Sequence, residues 1–505
     1  MNGQYRQDAA VADTRKPNGE KRDESTNSNS SESYNGSVGN GIAPQGSTGS
    51  WHALEEKQAT VGDREAGVQA QNIFSNGGKN YRTVGRWMSG ILLITNQVGI
   101  GILSLPGTLP TLGIVPGVIA IIGIGLLSTY TAYVLLQFYR AHPHVVNMAD
   151  MARVVGGRPL EAIVAVGLLI KFCFTCASAT VTLSVALNSI TDHALCTVAF
   201  MAVAFVAFWL LSLPRRFSFV AKMGIPGTLS VVIPVFIVII SLGVGNPQGA
   251  EPGFTPQRNI VGYPGFRDGL GACLNIAYAY AGNAGFVTYM VEMEDPSHDF
   301  LPALIILQGF SIPLYILAAV AIYCLAGQYT TSPSLGSAPL ILAKVAYGIL
   351  LPGMLVTGLI FGHSAVKYLY VLVMRRLNAT DQLTAPTFKS WSVWVGCATL
   401  FWVCVFILAN AIPIFDSILA ISSAALIAWF TFGISGVFWL HLNRGRYFLN
   451  RRKICLTALN VFTVALALFM NTAGLWAAIL GLLDTFQSDE NNIRGPFSCA
   501  DNGIL

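Results

Sequence analysis

From Trp87 to Tyr139 the chain carries no charged residue. Further charge-free stretches follow at 172–191, 193–214, 223–250, 269–291, 300–343, 345–366, 390–415, 417–443 and 454–483. A helix needs about 20 apolar residues to cross the hydrocarbon core of a bilayer, and runs this long leave few alternatives. Charged residues make up 11% of the 505 and hydrophobic ones 53%, whereas a soluble domain is roughly 25% charged. The deficit excludes ordinary soluble enzymes and nucleic-acid binders, so lipid is an expected partner and nucleic acid is not. The chain reads as an all-α polytopic membrane protein.

Turn signals divide the runs into about eleven spans: 87–110, 114–138, 162–189, 194–213, 223–245, 268–290, 302–326, 339–373, 392–412, 414–440 and 454–482. Cytoplasmic loops carry an excess of Lys and Arg. An inside N-terminus places Arg86, Arg140, Arg153, Arg158, Arg215, Arg216, Arg375, Arg376 and the cluster Arg444 to Lys453 inside, and leaves only Arg258, Arg267 and Arg494 outside. The C-terminal segment 486–505 is then extracellular or lumenal. Residues 1–86 are rich in Ser, Asn, Gly and charge and bury too little apolar surface to fold alone. They read as a disordered cytosolic tail on which Lys16, Lys21, Lys57 and many serines offer sites for regulatory proteins.

Catalytic chemistry finds no foothold. No carboxylate pair, metal-binding His-Glu motif, nucleophile elbow or phosphate loop stands out, and no cofactor or metal is expected. The nine cysteines form no metal framework, and most lie inside spans. Cys196 and Cys499 both fall near the outer face, within reach of a pairing.

The informative signal is helix breakage. The first span contains Thr95-Asn96-Gln97-Val98-Gly99-Ile100-Gly101, with Pro106 following, and the sixth contains Tyr278-Ala279-Tyr280-Ala281-Gly282-Asn283-Ala284-Gly285. Paired glycines and a proline are poor material for a continuous helix, although glycines also serve close helix packing. Unwound backbone within a membrane survives only where protein or a cavity satisfies it. Interrupted spans at matching places in two halves point to a secondary-transporter binding site. Spans one to five occupy 87–245 and spans six to ten 268–440, each set opening with a break, and an odd number per half requires inversion. The span at 454–482 stands outside the repeat. Free N–H groups at Gly99, Ile100 and Gly101 suit a carboxylate. Freed carbonyls near Thr95, Asn96, Tyr278 and Ala279, with Gly282 and Asn283 beside them, suit an ammonium. Neutral amino acids carry both groups.

The run Asn96-Gln97-Val98-Gly99-Ile100-Gly101-Ile102-Leu103-Ser104-Leu105-Pro106, the eleven spans and the long polar tail resemble the amino acid/auxin permease family, and within it fungal permeases for neutral and aromatic amino acids. The resemblance covers about 85–485. It implies the five-plus-five inverted repeat of leucine-transporter-type carriers, proton-coupled uptake at the plasma membrane, and substrate held by unwound spans one and six. It also implies that spans three and eight complete the pocket, with Phe172 and Phe174 as side-chain selectors. A vacuolar carrier of the same fold and a nutrient receptor without flux are the competing readings.

Coupling leaves a short list. No Asp or Glu lies deep in a span, so the usual carboxylate proton relay is missing. The deep cations are Lys171, Lys344 and Lys367, with His363 one turn before Lys367. Lys344 and Lys367 sit where a side chain snorkels to the interface; Lys171 has less escape. The ion-coupling candidates are Lys171, His363 and Asp268, the last at the outer start of span six. A sodium site made of backbone carbonyls and hydroxyls stays open.

Overall fold

The computed structural model describes residues 85–215, 218–251, 253–379, 387–487 and 495–503. The tail lysines Lys16, Lys21 and Lys57 lie outside the described residues.

The first span breaks where its glycines fall. Helix α1 (Arg86–Gln97) ends as Val98 leaves helical geometry at ψ 89° and Gly99 extends to φ −133°, ψ −144°. A single 3-10 turn (Ile100–Leu103) leads into α2 (Leu105–Leu112), whose first turn holds Pro106, where a missing N–H costs nothing. The two halves meet at 52°. Gly113, at φ +85°, then turns the chain into α3 (Ile114–Ala141). A side chain there would clash with the Gly262 amide. The connection over 259–262 closes this corner, accepting from Ile114 N and Val115 N and donating from Gly262 N to the Leu112 carbonyl at 2.9 Å.

Helix α4 (Met148–Thr191) starts at a reciprocal cap between Asn147 and Asp150 and is interrupted at Gly156–Gly157. Beyond that kink it runs through the middle of the bundle with Thr175, Ser178, Thr180, Thr182 and Ser184 all buried. All five of these hydroxyls donate to carbonyls three or four residues back, which offsets the cost of burying them. The remaining helices are α5 (Thr197–Ser212), α6 (Ser218–Val244), α7 (Phe266–Ala279), α8 (Asn283–Glu292), α9 (Pro296–Ala326), α10 (Leu340–Arg376), α11 (Phe388–Ala411), α12 (Phe415–Ser422), α13 (Ile434–Leu442), α14 (Arg451–Phe469) and α15 (Leu475–Gln487). A π-helical stretch (Ser423–Gly433) joins α12 to α13, and Asn471, from the π turn between α14 and α15, donates to its Ala424 and Ala425 carbonyls.

Among the described residues, eight helices are long and apolar enough to cross a bilayer, or nine if the bent α1–α2 pair is one span. The other two expected spans are α5, with 16 residues, and the interrupted pair α7 and α8, with 14 and 10. Sixteen residues reach about 24 Å at ~1.5 Å each, short of the ~30 Å core. Large apolar side chains such as Ile119, Ile163, Ile240, Ile305 and Phe462 are exposed along the helices. Ion pairs gather at helix ends: Arg86–Asp299 at 3.1 Å, Lys344–Asp192 at 2.6 Å and Arg267–Asp484. The protein is an integral, multi-pass, all-α membrane protein with a broken first span and an interrupted sixth.

The bundle has two distinct ends. The α3–α4 corner meets the end of α13, with the Phe138 ring 6.4 Å from that of His441. At the far end of α4, Cys196 is bonded to Cys499, which ties the segment 495–503 to the α4–α5 turn. Asn502 accepts from Asn188 at 2.6 Å and donates to Ser184 at 2.9 Å, so that segment is seated as well as bonded.

Candidate functional site

The two interrupted spans lie side by side and antiparallel: α1 packs on α8 and α2 on α7. Contact is close at the breaks. A Cβ on Gly101 would lie 2.6 Å from the Ala279 Cα, so no other residue fits there without separating the helices. The Asn96 amide donates to the Gly282 carbonyl at 3.0 Å, and the Tyr289 hydroxyl approaches the Asn96 oxygen at 3.5 Å.

Side chains from neighbouring helices satisfy much of the unwound backbone. Tyr315 of α9 donates to both the Ala279 carbonyl at 2.9 Å and the Gln97 carbonyl at 3.3 Å. Ser128 of α3 donates to the Tyr280 carbonyl at 3.3 Å. The Tyr278 carbonyl accepts from Ala281 N at 3.1 Å. By contrast, among the described residues no backbone carbonyl takes the N–H of Gly99, Ile100 or Gly101. These are the groups that a helical turn leaves unpaired at its start.

Beside this turn lies a cavity of about 40 Å³ lined by Asn96, Gln97, Gly99, Ile100 and Gly101, by Tyr278 and Ala281, and by Lys171, Thr175, Thr357 and Phe361. That is room for about three waters. The charged group on its wall is Lys171, a side chain 3% exposed. Its ammonium sits 4.6 Å from the centre of the Phe361 ring and 5.4 Å from that of Phe172, a favourable cation–π placement. Among the described residues no carboxylate lies within ion-pair distance of this ammonium. A cavity with a cation, three open amides and no anion is electrostatically suited to a carboxylate.

A family profile described as "Transmembrane amino acid transporter protein" matches residues 82–480. The chain belongs to this amino acid transporter family. Relatives of the transporter include an "N amino acid transport system protein" of Neurospora crassa, 30% identical and covering 81% of this chain and 87% of that protein. A "Transmembrane transporter" of Gibberella moniliformis is 29% identical, covering 88% and 93% respectively. Among solved structures the transporter is similar to Mhp1, a nucleobase-cation-symport-1 family transporter in a closed conformation with bromovinylhydantoin bound. That similarity has a TM-score of 0.48 at 16% identity and covers 81% of this chain and 94% of that one.

Of the residues singled out from sequence, the transporter brings Asn96, Gly99, Ile100, Gly101, Lys171 and Tyr278 to one cavity. It does not bring the others there. Thr95 packs against Gly224 of α6. Ala279 packs on Gly101, and the Gly282 carbonyl is taken by Asn96. Phe172 holds one side of the Lys171 ammonium without lining the cavity. Asn283 is fully buried and saturated: it donates to Thr131 Oγ1 at 2.9 Å, to the Ser128 carbonyl at 3.3 Å and to the Thr431 carbonyl at 3.2 Å. It pins α8 to α3 and to the π-helical stretch. Asp268 is exposed in the first turn of α7. His363 faces away from the cavity, its Nε2 3.1 Å from the Pro214 carbonyl and its ring 5.5 Å from Trp394.

Sequence reasoning missed Gln97, Thr175, Ala281, Thr357 and Phe361. Gln97 is buried, donating to Ser311 at 3.2 Å, with Gln308 as its other neighbour at 3.5 Å. Thr175 follows Lys171 by four residues, and Phe361 follows Thr357 by four. The i, i+4 spacing marks one face of each of α4 and α10. That spacing was the available signal.

Proposed function

We propose that this protein is a secondary active transporter that imports neutral amino acids, aromatic ones included, by proton symport at the plasma membrane. The observation that carries the reading is the cavity at the first break, where the open amides of Gly99, Ile100 and Gly101 meet the ammonium of Lys171. The substrate carboxylate docks on these donors. Its ammonium is taken by carbonyl and amide oxygens of the breaks, and an apolar or aromatic side chain rests on Phe361 and Tyr278. The cavity is smaller than an amino acid, so loading moves the break-bearing helices apart. Alternating access then rocks 87–245 against 268–440 as inverted halves around the site, with 454–482 outside the repeat.

Lys171 is the ion-coupling residue of this reading. An unpaired buried ammonium is costly, and a substrate carboxylate or loss of its proton relieves that cost. Binding and protonation are thereby linked. The cytosolic placement of the N-terminus rests on the cationic loops at the α3–α4 and α13–α14 end. It also rests on the disulfide at the other end, since disulfides persist in oxidising compartments.

The test is uptake into proteoliposomes of labelled neutral, aromatic, basic and acidic amino acids under imposed proton or sodium gradients. The expected result is uptake of the first two classes, driven by an inward proton gradient. Binding without uptake, or uptake that follows sodium alone, would overturn the proposal.

A further inference from the structure

A second cavity lies at the cationic end of the bundle and shares no residue with the first. It measures about 300 Å³ and is lined by Gln137, Trp439, Asn450, Arg452, Lys453 and Leu456. We propose that it binds the phosphate headgroup of an anionic phospholipid.

Charge comes first. The segment 444–453 holds Arg444, Arg446, Arg451, Arg452 and Lys453 and no acidic residue. A cluster of this kind next to a membrane-crossing helix attracts anionic headgroups. A bare cluster would serve topology alone; this one is folded around a space. The Asn443 amide donates to the Trp439 carbonyl at 2.9 Å, the Tyr447 hydroxyl to the Leu440 carbonyl at 2.9 Å, and the Thr457 hydroxyl to the Tyr447 carbonyl at 3.2 Å. These bonds fold the connection back between α13 and α14. Within it, Lys453 donates to Asn443 Oδ1 and lies 5.4 Å from the Trp439 ring centre, while Asn450 accepts from Lys453 N at 2.8 Å. One cation is therefore held in place, and Arg452, exposed beside it, is available to a ligand. Two cations, two amides and an indole on one concave wall match a phosphodiester and its ester oxygens.

The surroundings select a lipid over a free anion. Phe448 and Leu449, at the tip of the same connection, are 75% and 74% exposed. Along α14, Ile454, Val461, Phe462 and Leu468 are also exposed. A headgroup in the cavity thus has an interfacial apolar tip on one side and an apolar helix face for its acyl chains on the other.

The test compares lipid retained by the purified full chain, read by native mass spectrometry after exchange into nanodiscs of phosphatidylcholine with or without phosphatidylserine. The native protein is expected to retain one phosphatidylserine. The variant R452Q/K453Q is expected to bind it at least about tenfold more weakly, whereas R444Q/R446Q, which alters cations of the same segment outside the cavity, keeps native affinity. Arg452→Gln alone replaces the double variant if the latter fails to express, since its side chain is exposed. Equal loss in both pairs would show diffuse attraction and overturn the site, as would retention in R452Q/K453Q. Displacement of the bound lipid by inorganic phosphate would overturn the assignment to a lipid.

Discussion

At the residue scale, the proposed role of the central cavity rests on two positions. Gly101 sets the distance between the two breaks, because its Cα faces Ala279 with no room for a Cβ. Overpacking of this sort costs about 1–3 kcal/mol locally and displaces the very amides that line the cavity. Gly101→Val is therefore expected to abolish uptake while the protein still reaches the membrane in normal amount. Normal uptake with normal surface labelling would remove Gly101 from the site. Lys171 is the other position. Lys171→Met keeps most of the volume and removes the charge, so uptake is expected to fall about tenfold or more, in line with loss of a hydrogen bond to a charged group. What uptake remains should no longer respond to an imposed proton gradient. A mutant whose slower uptake still rises with the gradient as the native protein's does would show that the proton is carried elsewhere.

At the scale of elements, the breaks are held open by their neighbours. Tyr315 occupies carbonyls from both interrupted spans at once, and Ser128 and Asn283 fasten the second break to α3. The sequence pattern marks Asn283 as a substrate contact because it lies beside Gly282 in an apolar span. Its bonds instead run to Thr131, Ser128 and Thr431, on the side away from the cavity. Which way a residue points after a helix break depends on the φ/ψ of the break itself, and periodicity loses phase there. Asn283→Ala leaves several buried groups without partners, each costing about 1–3 kcal/mol. It is expected to lower the thermal stability of the purified protein while leaving substrate affinity near native. Substrate binding weakened with no change in melting would instead make Asn283 a direct ligand.

At the scale of the whole molecule, the two ends are built differently. One end gathers loop cations and the α13–α14 cavity. The other is closed by the Cys196–Cys499 bond, which spans 303 residues of sequence and seats the C-terminal segment on α4 and α5. Removing such a link typically costs about 2–5 kcal/mol. Cys499→Ser is expected to melt at lower temperature than the native protein, and reducing agent should lower the native protein to the same value. Equal melting of native, reduced and Cys499→Ser protein would show that the hydrogen bonds of Asn502 suffice to hold the segment.

The sequence by itself determined the solvent, the class and the position of the breaks. Charge-free runs of span length require a bilayer, and paired glycines beside Asn96, and beside Asn283, disfavour continuous helix wherever the chain is placed. These are local properties, written in consecutive residues. Tertiary structure alone decided which side chains meet. Lys171 becomes the cation of the cavity only because α4 and α10 bring it under Phe361, and His363 lies off the cavity because its face of α10 turns to Pro214 and Trp394. Cys196 and Cys499, far apart in sequence, become a pair only when the C-terminal segment folds back on α4. Facing and long-range pairing depend on how helices rotate and pack against one another, and no single helix records that in its own residues.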